Sequence, residues 1–505
     1  MADSFLPGQI EMAEVAEKIQ PALLKKPPEL SWPEYLLLLL HIAAEIEHAL
    51  MVQYLFAAYA LDERGAKKNQ ERKKLVQSWR RDLLIVAREE MGHLLCVQNA
   101  ICLLGGPITL ERQDFPWGSH YYPFAFHLEP LNEESLACYV YAEMPSEEDL
   151  DRFVARERRG GETRWQRFRE DYKKKIKPLL EHRWGEEHHV GELYQIIMRI
   201  AENQKDIPAS AFHRDTAAFQ STADEWNKLN LGFRGPGGGG GERVTFADRP
   251  GRVIVRTMST RGEALRLLSE VAGQGEAPHF TPDHADEPSH FDRFYKIFRE
   301  FHDSRANVDW YPSRNVARDP TTFRLRGVGF RGTYIKETRS RLWANLFNLR
   351  YRILLSYLAH SYRLPRAAGD GGAGLRGSTL QRAFKEMLNL KTIAGILVDL
   401  PLGELPAPNA KSRTRDKRRD RRRLYAGPPF EMPYTLALPV NEADCWLIHK
   451  DLHETSRELC RNLLQWKQRA HRRRYLRTLR TLDRRATTWI DKILAGLDHA
   501  LGHAP

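Results

Sequence analysis

Cysteine is scarce. The chain has five in 505 residues (Cys96, Cys102, Cys138, Cys445 and Cys460), with no CxxC pair and no zinc-type spacing. That excludes a disulfide framework or a thiolate cluster as the organising principle, and an odd, scattered set reads as reduced, buried thiols. Long apolar runs are also lacking. The longest, Tyr35 to Ala44, is too short to span a bilayer and contains His41. No N-terminal stretch joins a basic start, an apolar run and a small-residue cleavage site, so no signal peptide is expected and the reading is cytoplasmic. No internal repeat of fixed period is present, which excludes a solenoid or propeller.

What is present suits a sizeable soluble core: 42% hydrophobic and 29% charged residues. The net charge of +12 is uneven. Arg413 to Arg423 (RTRDKRRDRRR) and Arg469 to Arg485 carry much of it. Such runs attract nucleic acid, acidic partners or anionic lipid surfaces. No base-reading motif accompanies them, so a solvated loop followed by a solvated helix face is the simpler account.

The pattern along the chain is mostly α. Residues 1–30 read as an irregular lead-in. Ser31 then caps a helix with Pro33 in its first turn and Glu34 three residues on, the signature of a capping box, and that helix runs to about Ala60. A second runs from about Glu71 to Leu104, where Gly105-Gly106-Pro107 stops it. The aromatic, proline-bearing stretch Phe115 to Phe126 reads as a loop, and residues 147–183 as a charged helical excursion. A third core helix is expected at about Gly191 to Asn203. After a glycine-rich loop (residues 232–242), Val253 to Met258 reads as a short strand. Helices follow from Gly262 to Gly273 and from Pro288 to about His302. Residues 31–310 therefore form one helical unit. Residues 311–505 form a second helical region, with blocks at 339–361 and 378–400, an extended cover segment at 427–439, and a last continuous or broken helix from Asn441 to Gly496.

Four segments carry carboxylates in apolar helical surroundings. HIAAEIEHALMVQYL offers Glu45, Glu47 and His48. AREEMGHLL places Glu90 and His93 three apart. HHVGELYQII centres on Glu192. DEPSHFDRF places Glu287 and His290 three apart. Residues i and i+3 share a helical face, so a carboxylate and an imidazole so spaced can bind one ion. Two such pairs plus a single glutamate from each of two further helices form the ligand set of a ferritin-like di-metal bundle. Oxygen and imidazole donors suit iron or manganese, and the absence of thiolates argues against softer metals. The fold expected is a ferritin-like four-helix bundle core with long insertions and an additional C-terminal helical region.

At these residues the chain resembles the ferritin-like family that includes the iminophenylpyruvate dimer synthases of violacein and rebeccamycin biosynthesis. The likeness runs through EIEHALMVQYLFAAYAL, EEMGHLLCVQNAICLLGG, FPWGSHYYPF, GELYQII, ALRLLSEVAGQGEA and SHFDRFYKI, and more faintly through FNLRYRILLSYL and GPPFEMPYTLALP. The resemblance implies a metal pair held by Glu47, Glu90, His93, Glu192 and His290. Glu47 is preferred to Glu45 because Tyr54 stands seven residues after it. The partner of His290 is either Glu287, by spacing, or Glu276, which stands where the family has QGEG. The implied cofactor is two ions of iron or manganese, with haem in one branch of the family. The implied activity is oxidation or oxidative coupling of a small, amino-acid-derived substrate with dioxygen or peroxide. The competing reading is a non-catalytic ferritin-like scaffold whose basic segments bind nucleic acid or an acidic partner. Iron storage is weaker, since long insertions hinder a closed shell.

Overall fold

Local chemistry starts and stops the first two helices as the sequence suggests. Ser31 Oγ accepts from the Glu34 amide, and the Glu34 carboxylate accepts from the Ser31 amide at 2.7 Å, closing the capping box that opens α1 (Trp32–Ala60). Asn69 caps α2 (Gln70–Leu103). At the far end, Gly105 takes a φ of 71°, its amide reaches Cys102 O (2.9 Å), and the Gly106 amide reaches Ile101 O (3.0 Å). This is a Schellman motif, which needs a residue free to adopt positive φ. The structure is a computed structural model and describes residues 26–63, 69–118, 124–160, 164–181, 190–227, 253–276, 288–305, 310–323, 332–366, 374–403 and 424–500.

α1 and α2 form the most extensively packed helix pair. By length and composition α1 is apolar enough to cross a membrane, yet 67% of its most apolar window is buried in this fold. Two further pairs flank the hairpin. α3 (Glu133–Glu143) packs on α6 (His290–Arg305), and α4 (Val190–Glu202) packs on α5 (Arg261–Glu276). α4 leans on α1, while α5 and α6 lean on α2. Six helices thus converge on the middle of the hairpin. The charged excursion between α3 and α4 is helical over Glu147–Gly160, Arg164–Asp171 and Lys177–Leu180, with a π-helical turn at Tyr172–Ile176.

The C-terminal region is a second helical layer. α7 (Thr338–Ser361) packs on α8 (Leu375–Leu397) and on α9 (Glu442–Gln465), and α9 packs on α10 (Ala470–Ala500). A two-residue parallel pair, β1 (Pro320–Thr321) with β2 (Thr333–Tyr334), lies in the connection between the layers. The 427–439 segment is extended, and Phe430 and Glu431 are buried beneath it. Its backbone is tied to the hairpin's exit loop: the Met432 amide donates to Asp114 (2.7 Å) and the Leu436 amide to Glu111 (2.8 Å). All five cysteines are buried, and none forms a disulfide.

One expectation changes. Residues 253–258 are extended but form no strand. Helix α2 satisfies their backbone instead: Cys96 Sγ donates to Ile254 O (2.9 Å) and Asn99 Nδ2 to Arg256 O (3.0 Å). The approach is close, since a Cβ at Gly92 would meet Ile254 N at 3.2 Å. The last helix is two helices, broken at Trp466 to Arg469. The short helix α3 has no counterpart in the sequence reading. The glycine-rich stretch at 232–242 and the basic run at 413–423 lie outside the described residues.

A buried ion cluster fixes the second layer. Arg350 of α7 donates to Glu386 of α8 (3.1 Å), to Ser456 of α9 (2.7 Å) and to both carboxylate oxygens of Asp483 of α10. Asp483 also meets His453 Nδ1 at 2.8 Å. Asp483→Ala leaves a buried guanidinium short of its partner, so urea denaturation should show a loss of about 3–5 kcal/mol. Metal content should not change, because the cluster belongs to the other layer.

Candidate metal centre

The convergence of six helices buries a group of acids and imidazoles that ordinary packing would reject. Glu90 of α2 lies at the middle of it and is 1% exposed. Its Oε2 is 3.0 Å from His93 Nδ1, one turn along the same helix. Its Oε1 is 3.1 Å from Nδ1 of His290, the first residue of α6. The two imidazole rings are stacked with centroids 5.3 Å apart. One carboxylate therefore stands between two histidines and presents one oxygen to each. The nearest ligand atoms of Glu90, His93 and His290 all lie within 4.8 Å of one another.

Each histidine has a further acid on its side. Glu47 Oε2 of α1 is 3.4 Å from His93 Nδ1. Glu143 Oε2, on the last residue of α3, is 3.7 Å from His290 Nδ1. The second oxygen of each acid is occupied. Tyr194 of α4 donates to Glu47 Oε1, and Tyr54 of α1 donates to Glu143 Oε1 at 2.7 Å. The outward ring nitrogens are occupied too. His93 Nε2 meets Gln274 Oε1 at 2.9 Å, and His290 Nε2 meets Glu89 Oε2 at 3.1 Å. An Nε2–H donated outward leaves the Nδ1 lone pair facing the centre, which is how ligating histidines are held. The centre has two matching halves that share Glu90.

Three of the atoms that face inward, Glu47 Oε2, Glu90 Oε1 and His290 Nδ1, are buried without a hydrogen bond among the described residues. Glu90 Oε1 and His290 Nδ1 are close, but they are not aligned to bond each other. Orphaned buried polar atoms each cost about 1–3 kcal/mol, and charged ones more. Two cations of a hard or intermediate metal, each taking carboxylate oxygens and one imidazole, satisfy all three atoms. The residues present fit iron or manganese. A cavity of about 20 Å³ lined by Glu47, Glu90, His93, Glu143 and Tyr194 leaves room for a water-sized species and none for an organic ring.

Without metal, protons take the place of the cations. Burial, reinforced by the Glu90 charge, pushes the Glu47 carboxyl up to about 8. Burial acts in the same sense on Glu90, but His290 and His93 overcome it and hold Glu90 well below the usual carboxylate range. Burial disfavours the charged forms of His93 and His290. The neighbouring carboxylates outweigh this, taking His93 up to about 10 and His290 well above its ordinary value.

Of the residues expected from sequence, Glu47, Glu90, His93 and His290 meet here. Glu47, not the half-buried Glu45, faces the centre. Glu192 is half-buried on α4, and the α4 side chain that lines the small cavity is Tyr194. The additional carboxylate on the His290 side among the described residues is Glu143, which the sequence reading did not single out. Glu276 ends α5, with its side chain outside the described residues, and Glu287 lies outside them as well. The sequence reading also passed over Glu89 and Gln274. Glu143 had a legible signal: a lone acid closing the apolar run LACYVYAE behind an Asn132 cap.

A family profile described as ferritin-like matches residues 40–299. A dichlorochromopyrrolate synthase of Lentzea aerocolonigenes is 26% identical over 390 residues, which is 71% of this chain and 34% of that protein. The chain therefore spans about a third of the length of that relative. No solved structure matches.

Elemental analysis of variants reads the two halves separately. Wild type should hold about two iron or manganese ions per chain. Glu90→Ala should lose both, Glu143→Ala should lose about one, and Glu192→Ala should keep both. Because each ion displaces protons from Glu47 and the histidines, metal affinity should rise with pH from 6 to about 8 and fall on acidification, with proton release on loading measurable in weak buffer.

Proposed function

The chain belongs to the ferritin-like family, and on that premise we propose that it is a metal-dependent oxidoreductase, using a pair of iron or manganese ions and dioxygen or peroxide to oxidise a small organic substrate in specialised metabolism. The observation that carries this reading is Glu90, shared between two histidine-bearing halves in a buried pocket. When bound, a redox-active pair supplies the electrons and the Lewis acidity that oxygen chemistry needs.

The chain's own residues do the rest. Glu90 fixes the spacing of the two halves. Glu47 and Glu143 supply one free oxygen each, and the Tyr194 and Tyr54 hydroxyls orient them. Gln274 and Glu89 lock the ring orientation of His93 and His290. Leu50, Ala142, Val271 and Ala272 wall the small cavity and limit water around it. That dryness strengthens every electrostatic contact inside and protects reactive species from hydrolysis.

An organic substrate is favoured over iron storage by a second cavity. About 1090 Å³ of mainly apolar space lies between the first layer and α7 and α8, against Leu84, Ala87, Met91, Leu94 and Leu95 of α2. Ala87 and Leu94 stand one turn to either side of Glu90 on that helix, so the cavity wall adjoins the face that carries the centre. The volume is in the range of sites for drug-sized molecules. The relative named for making dichlorochromopyrrolate supports a biosynthetic reaction, and the sequence resemblance supports an amino-acid-derived substrate.

Oxygen uptake by metal-loaded protein, followed with a panel of aromatic amino acids and their oxidised imines, tests the reading. Substrate-dependent uptake is expected in wild type and should be abolished in Glu90→Ala. Tyr54→Phe and Tyr194→Phe should keep their metal while losing activity by roughly 10–100-fold. Full activity in metal-free Glu90→Ala would overturn the proposal.

A further inference from the structure

A cleft of about 1130 Å³ lies between the layers, well separated in sequence from the metal ligands. One wall comes from Trp310, Tyr311 and Arg314, and the other from Lys467, Arg469 and Arg472 at the start of α10. Its charge is unbalanced. Five cations (Arg314, Arg339, Lys467, Arg469 and Arg472) face two acids, Asp62 and Asp399. Both acids attend Arg314, at 3.6 Å and 2.6 Å. Arg339 donates to the Lys467 carbonyl (3.4 Å), and its contact with a carboxylate is a loose one to Glu337 (3.9 Å), which already accepts from the Ser340 amide and hydroxyl.

Arg472 is the informative residue. It is 5% exposed, and among the described residues no side chain hydrogen-bonds or ion-pairs with it. A buried guanidinium without a counter-ion is costly. Burial and the nearby Arg469 charge lower its proton affinity, against a smaller opposing effect from Asp399, and Arg339 adds to the lowering. Trp310 Nε1, another buried donor lining the cleft, also has no hydrogen-bond partner among the described residues.

The backbone adds to this. α10 begins at Ala470 behind Lys467-Gln468-Arg469, with no Ser, Thr, Asp or Asn in the cap position. Among the described residues no side chain caps its first turn. The first N–H groups of a 31-residue helix, with the positive end of its dipole, therefore open beside an unpaired arginine. A helix N-terminus joined to a forked guanidinium is the donor set that oxyanions accept.

We propose that this cleft binds a small organic dianion, a phosphomonoester or a dicarboxylate. Its acidic group sits on Arg472 and the first turn of α10, and its body lies against Trp310 and Tyr311. The site is independent of the metal centre and of the reaction proposed there.

The test is thermal unfolding of the full chain with inorganic phosphate and, separately, succinate, each matched in ionic strength with sodium chloride. A saturable rise in Tm is expected with at least one probe, and the stronger one identifies the headgroup. Arg472→Leu should weaken that response by roughly tenfold or more. It should also raise Tm without anion, because it removes an unpaired buried charge, whereas a structural arginine would lower it. Arg469→Gln, at an exposed position, should weaken the response and leave the anion-free Tm unchanged. No rise above the chloride control with either probe, an undiminished rise in both variants, or a lower anion-free Tm for Arg472→Leu would each overturn the proposal.

Discussion

The first layer is organised by one electrostatic problem. Glu90 is buried between His93 and His290, with Glu47 and Glu143 close behind them, in a region that water does not reach. Acids packed this densely repel each other and lose their hydration, and burial alone would favour neutral forms. Cations resolve both penalties at once. The geometry is arranged for them: among the described residues Glu47 Oε2, Glu90 Oε1 and His290 Nδ1 face inward without a hydrogen bond, while the outward-facing atoms are already bonded. Tyr194, Tyr54, Gln274 and Glu89 each take the atom that a metal would not use.

That requirement explains why six helices are needed where a bare ligand set uses four. α1, α2, α3 and α6 bring the acids and imidazoles, while α4 and α5 bring Tyr194 and Gln274. The apolar faces of the same helices then have to be covered elsewhere. Leu84, Ala87, Met91, Leu94 and Leu95 of α2 wall the large apolar cavity toward α7 and α8. The second layer is held on its own terms, through the Arg350 cluster and the extended segment tied to Glu111 and Asp114. The basic segment at its end divides along the helix: most of its arginines are exposed, while Arg472 is turned inward and left unpaired.

Much of this was legible in the sequence because it rests on short-range chemistry. The Ser31–Glu34 box, the Gly105-Gly106 stop and the Glu90–His93 spacing are all fixed within one or two helical turns. His290 was legible for the same reason. What escaped depended on distant contacts. Residues 253–258 have strand-like composition, but α2 side chains bond their carbonyls and no strand partner is present among the described residues. Glu143 lies in a helix of only 11 residues, where periodicity is weak, and its role depends on α6 bringing His290 to it. Glu192 sat in a more typical apolar helix and drew the assignment, yet Tyr194, two residues on and so on another face of α4, is the side chain that lines the small cavity. Gln274 looked like part of a QGE motif, and only the packing of α5 on α2 reveals it as the partner of His93.

The central claim is that Glu90 joins two ions into one centre. Loading the apoprotein with manganese(II) and recording its electron paramagnetic resonance spectrum at low temperature tests this directly. A carboxylate shared between neighbouring ions predicts the signal of an exchange-coupled pair, growing in at saturation. A spectrum showing only the hyperfine pattern of isolated manganese at full loading, or no bound manganese at all, would contradict it.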